Sequence, residues 1–199
     1  MKNRNKGYSF VELLIVLCMI TILSGISLVS LTLLNTARAK QASTLFGDEV
    51  NALRKRNVSM TPAEDPSNPG KKTAYGLVLH YEDNKFKVTQ VECSQTTSGS
   101  NTFYKYVKSG SAVKRVDTSE MSSSVDVKFT GYYKSFYSNY DATKTDYVAQ
   151  GLNGDLCVCL MFDKHGNCTS GYGKYEFYKH NGNKVATVTV RQNGSIEIR

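Results

Sequence analysis

The chain has 199 residues, 40% of them hydrophobic, and a formal net charge of +8 from 25 Lys and Arg against 17 Asp and Glu. That length fits one domain of ordinary size plus an extension, and the diffuse basic excess fits a solvated lysine-rich surface better than a nucleic-acid tail. A phosphate-cradling glycine loop, His-Glu-x-x-His and Gly-x-Ser-x-Gly are all missing, and His80, His165 and His180 are scattered as surface or turn residues, so neither catalysis nor a cofactor is expected.

The first stretch, Lys6-Gly7-Tyr8-Ser9-Phe10-Val11-Glu12-Leu13, follows the basic residues Lys2 and Arg4 and opens an apolar run ending near Leu34. From Leu13 to Ala37 there are 25 residues without a charge. As a helix, Tyr8 to Leu34 spans roughly 40 Å, enough to cross a bilayer. A positive leader then favours a cytoplasmic N-terminus and an exported remainder, which is a single-pass placement in the plasma (inner) membrane. Glu12 is the anomaly, because a carboxylate carried to the bilayer centre costs roughly 2.5–3.5 kcal/mol and needs a partner. Two plainer readings compete. One is an ordinary secretory signal cut at the small-x-small site Gly25-Ile26-Ser27, which would release a secreted protein. The other is a single-span anchor with Glu12 at the headgroup level.

Lys6-Gly7-Tyr8-x-x-x-Glu12 followed by an apolar helix resembles the leader of type IV prepilins and type II secretion pseudopilins. The resemblance covers about the first 30 residues. It implies cleavage between Gly7 and Tyr8 by a prepilin peptidase, which also N-methylates Tyr8. It further implies that Glu12 pairs with the terminal amine of a neighbouring subunit in a filament. The implied partners are other pilin or pseudopilin subunits, the peptidase, a platform protein with its assembly ATPase, and membrane lipid before assembly. A head-to-tail contact of this kind does not close on itself and so generates an open helical polymer.

Beyond Leu34, Ala42, Leu45, Phe46, Val50 and Leu53 recur at helical spacing, with Lys40, Ser43, Asp48, Arg54 and Lys55 on the other faces. All three prolines fall between Thr61 and Gly70 and stop the helix. Residues 75–81 and 85–91 then read as a hairpin turning at Asp83-Asn84. A polar loop is expected over 94–101, a strand over 102–107, an ambiguous stretch over 109–124 and a strand over 125–129. Tyr132 to Tyr140 is dense in aromatics and reads as packing over a domain edge in preference to a sticky loop. Leu156 to Phe162 reads as a central strand, and 174–179, 184–190 and 195–199 as a closing meander. The expected fold class is α+β: a leader (1–7), a long helix (8–60, with 8–34 transmembrane), a linker (61–73) and an exported antiparallel sheet domain (74–199), pilin-like. The terminal strand after a glycine turn loosely resembles the H-type minor pseudopilins.

Cys18 reads as a small hydrophobe within the helix. Cys93, Cys157, Cys159 and Cys168 are an even number compatible with two disulfides. Cys157 and Cys159 share a strand face, leaving Cys157–Cys168 with Cys93–Cys159, or Cys159–Cys168 with Cys93–Cys157. A metal site from Cys-x-Cys, Cys168 and His165 fits no common zinc spacing. The expected function is a structural filament subunit, minor more than major. The alternative is a DNA-capturing or adhesive tip subunit with Lys174, Lys179, Lys184, Arg191 and Arg199 as a basic patch, whose binding would weaken steeply with salt.

Overall fold

The computed structural model describes residues 9–59, 64–65, 68–98, 101–106, 108–109, 112–134, 139–142, 158–180 and 182–199. One helix, α1 (Phe10–Ser59), precedes a long series of strands. These are β1 (Glu64–Asp65), β2 (Asn68–Glu82), β3 (Lys85–Ser98), β4 (Asn101–Tyr106), β5 (Lys108–Ser109), β6 (Ala112–Val113) and β7 (Arg115–Glu120). They continue with β8 (Val125–Lys134), β9 (Asn139–Ala142), β10 (Val158–Phe162), β11 (Cys168–Ser170), β12 (Tyr172–Lys179), β13 (Lys184–Val190) and β14 (Ile196–Ile198).

The first sheet runs β11-β10-β2-β3-β4, with β1 joined to β2 and β7 to β3, and the second runs β14-β13-β12-β8-β9. Every pairing is antiparallel. The β2–β3 turn forms at Asp83-Asn84, both at positive φ (54° and 59°), the mirror-image turn whose twist suits a two-residue hairpin. Strand β2 starts at Asn68, inside the expected linker, and β3 runs through much of the expected 94–101 loop. The ambiguous stretch contributes β7.

Alternation sorts each strand by face. Leu77 and Leu79 of β2, Val88 of β3 and Leu160 of β10 point inward. They meet Phe129, Tyr175, Phe177 and Val188 from the second sheet. The second half of α1 enters that core with Ala39, Ala42, Phe46, Val50 and Leu53, all buried, so the helix and both sheets share one interior. Phe46 lies 4.5 Å from the Tyr175 ring and 5.9 Å from Phe177. Ser43, expected on the polar side, is buried and donates its hydroxyl to Lys40 O at 2.7 Å. His80, expected at the surface, is fully buried.

Two expectations are overturned. The expected fold class placed a half-transmembrane helix on one antiparallel sheet. Instead two antiparallel sheets form the body, and among the described residues no helix is long and apolar enough to cross a membrane. The early stretch of α1 carries Glu12, Thr21 and Ser24 among its apolar residues, polar groups that a membrane span disfavours. The single-pass placement in the plasma (inner) membrane falls with the same finding.

Candidate functional site: the exposed face of the N-terminal helix

The first half of α1 lies outside the common core. Phe10 is 80% exposed, and Val11, Leu13, Leu14, Ile15, Val16 and Leu17 are all exposed, as are Ile22, Leu23, Leu31, Leu33 and Leu34. Their spacing runs round the whole helix in place of a stripe, so no single face is polar. The hydroxyls within this surface are satisfied by their own helix: Thr21 donates to Cys18 O at 2.8 Å and Ser24 to Ile20 O at 2.7 Å. The result is an apolar rod with no unpaired hydroxyl at these two positions.

At its start, Ser9 N–H donates to Glu12 Oε2 at 3.2 Å, and Leu13 N–H donates to Ser9 O at 3.1 Å. Ser9-x-x-Glu12 is therefore one arm of a capping box, with the carboxylate also at the favourable end of the helix dipole. Sequence reasoning gave Glu12 a partner in another subunit and missed this local one. The Ser/Thr-x-x-Glu spacing was the signal that could have found it. The cleavage-site residues Gly7 and Tyr8 lie outside the described residues, as does Cys157.

The cysteines are not joined. Cys93, Cys159 and Cys168 are all buried, and none is bridged to another. Cys168 belongs to the inner core, whereas Cys159 points to the opposite face of its sheet with Val78, Val91, Cys93 and Met161, so the structure does not bring Cys159 and Cys168 together. Cys93 and Cys159 share that outer face but sit on β3 and β10, with β2 between them. Two strand spacings amount to about 9.5 Å, beyond the 4.4–6.8 Å between Cα atoms that a disulfide tolerates. Their sulfurs instead flank Gly76, at 3.2 and 2.9 Å from the point where a Cβ would stand. The pairings that involve Cys157 fall outside the described residues. Burial pushes the Cys168 thiol up to about 12, so it is a poor nucleophile and ligand. Among the described residues no group of three His, Cys, Asp or Glu is placed to hold a metal.

The expected basic patch is partly offset by carboxylates. Lys184 is paired with Glu176 at 3.1 Å, and Glu197 sits between Arg191 (3.1 Å) and Arg199 (2.7 Å). Lys174 stands on the exposed face of β12 and Lys179 at its far end. The five cations are therefore spread along three strands with carboxylates interleaved. No family model, no curated protein and no solved structure matches the chain.

Half-buried polar contacts fix the second half of α1 to the body. Glu49 accepts from Ser119 Oγ (2.7 Å) and Gln90 Nε2 (3.1 Å), and Arg56 donates to Gln90 Oε1 at 3.1 Å while its guanidinium lies 3.8 Å over the Tyr75 ring. Asn57 exchanges both hydrogen bonds of a strand pair with the Tyr75 backbone, at 2.9 and 3.3 Å. Arg54 Nε donates to Gly166 O at 3.1 Å. The direction of the exposed rod is set by this anchorage.

Proposed function

We propose that the chain is a structural subunit, minor in its assembly, of a type IV pilus or of a type II secretion or competence-like pseudopilus, and is not an enzyme. One observation carries the reading: an apolar helical rod stands clear of a well-anchored body, with the large hydrophobic side chains from Phe10 to Leu23 and from Leu31 to Leu34 exposed at 45–80%. An apolar surface of that extent marks an interaction site. A rod apolar on every side suits a position surrounded by other rods.

In this mechanism a prepilin peptidase removes residues 1–7 and methylates Tyr8, and the rods of successive copies pack side by side. Glu12, which caps its own helix in the single chain, exchanges the neutral Ser9 amide for the cationic terminal amine of a neighbour. Both bonds are charge-assisted, but the terminal amine carries a full positive charge and so makes an ion pair that the neutral amide cannot. That pair fixes how far one copy stands above the next, and because the contact is heterologous the assembly grows as a filament.

The test is co-production of the full chain with a prepilin peptidase, a platform protein, its assembly ATPase and a major subunit, followed by intact-mass analysis and electron microscopy. The mature chain should begin at methylated Tyr8 and form fibres. Glu12→Val should be processed but assemble poorly. Fibres of normal number and length from that variant, or a mature chain beginning elsewhere, would refute the proposal.

A further inference from the structure

A second site lies on the body, remote in sequence from the helix rod. A cleft of about 850 Å³ opens where β11 of the first sheet meets β8 and β12 of the second. Two backbone hydrogen bonds stitch the sheets together there, Cys168 N–H to Gln192 O at 2.8 Å and Gly171 N–H to Tyr132 O at 2.9 Å, so the cleft is framed by main chain. Its volume falls within the ~300–1,000 Å³ usual for small-molecule sites.

The floor is aromatic. Tyr132 and Tyr172 are register partners on β8 and β12, and their rings stack with centroids 5.0 Å apart and planes at 26°. Both are half-buried, unlike Tyr175 on the opposite face, which is buried and donates its hydroxyl to Gly171 O at 2.6 Å. The rim is planar and polar, with carboxamides at Asn167, Gln192 and Asn193, a carboxylate at Asp163 and a guanidinium at Arg191.

These rim groups are differently committed. Burial alone would push the Asp163 carboxyl up. Hydrogen bonds from the Asn167 side chain, the Asn167 amide (2.8 Å) and the His165 amide (2.9 Å) outweigh it and hold the group below its ordinary value, hence ionised. Asn193 Oδ1 accepts from Ser195 at 2.8 and 3.0 Å, which leaves its amide N–H groups as donors. Arg191 gives one of its five N–H groups to Glu197. Among the described residues the Gln192 side chain has no hydrogen-bond partner.

We propose that this cleft binds a neutral saccharide. Stacked tyrosine rings offer a flat apolar surface to the C–H face of a pyranose. The planar carboxamide, carboxylate and guanidinium groups offer fixed donor and acceptor pairs to adjacent hydroxyls. Charge gives an anion no advantage: within the lining Asp163 balances Arg191, and Glu197 already takes one Arg191 N–H. The abundance of rim hydrogen-bonding groups decides against a lipid tail, which could satisfy none of them. The inference goes beyond the filament reading and stands on its own observations.

The experiment is a printed array of neutral and acidic glycans probed with the folded full-length chain. Hits are then titrated calorimetrically, with a dinucleotide and inorganic phosphate as comparison ligands. At least one neutral glycan should bind, with an affinity that changes little between about 50 and about 500 mM salt, since no counterions are released. Tyr172→Ala should weaken binding about tenfold or more. Gln192→Ala, exposed and without a side-chain bond, keeps the fold by circular dichroism and should weaken binding severalfold. Silence across the array overturns the proposal. So does binding confined to acidic glycans or the dinucleotide with a steep salt dependence, or a hit indifferent to both substitutions.

Discussion

The two halves of α1 are one continuous helix with opposite surroundings. In the second half the large apolar side chains keep to one stripe, and Phe46, Val50 and Leu53 vanish into the core. In the first half apolar residues occupy every face, and Leu13, Ile15 and Leu17 stay exposed. A stripe can be covered by one sheet-lined groove, whereas a rod apolar all round can be covered only by several neighbours at once. The length of an apolar run is therefore less informative than its distribution about the helix axis.

The sharpest way to break this contrast is a pair of truncations. Phe46→Ala removes a ring packed between Tyr175 and Phe177 and should cost about 3–5 kcal/mol in chemical denaturation. Leu17→Ala, at a 54% exposed position, should leave the unfolding midpoint of the single chain unchanged while reducing fibre yield. Equal destabilisation by the two would show that the first half packs within its own chain.

The body should also carry the acid sensitivity. His80 is buried with Nε2 2.9 Å from Thr89 Oγ1 and with no partner for Nδ1 among the described residues. Burial lowers its pKa from 6.5 to about 4, with Glu82 opposing and Arg115 and Lys87 reinforcing. Between those values the unfolded chain binds the proton and the folded chain does not, so stability falls as pH falls. The loss should approach about 3 kcal/mol by pH 4. Denaturation at stepped pH should reveal that slope, and His80→Gln should flatten it.

Smaller effects test the anchorage and the cap. Asn57→Ala leaves the Tyr75 amide and carbonyl without their side-chain partner and should cost about 1–3 kcal/mol. Glu12→Ala removes the acceptor of the Ser9 N–H; it should cost no more than about 1 kcal/mol and show as faster amide exchange in the first turn of α1 alone. Spreading of that change into Ala39 to Leu53 would mean that the two halves are coupled.

Much of the local structure was legible because it is locally encoded. The stripe through Phe46, Val50 and Leu53, the Asp83-Asn84 turn and the strands at 174–179 and 184–190 follow from periodicity and turn chemistry. What escaped depends on partners distant in sequence. Val158–Phe162 pairs with β2 some 80 residues earlier, and only that pairing brings Cys159 against Gly76 and the outer face it shares with Cys93. His80 looks like a strand-end polar residue until β3 and β7 bring Thr89 and Thr118 beside it. The cleft needed the register of Tyr132 against Tyr172 and the meeting of two sheets, neither of which is local.

The last turns of α1 grip the body at three separate points, through Arg54 to the β10–β11 turn, Glu49 to β3 and β7, and Asn57 to β2. Tension drawn along the helix axis would be shared among these strands instead of falling on one of them. A fibre made of such units would resist pulling through many bonds stretched in parallel, and its mechanical weak point would lie between copies and not within one.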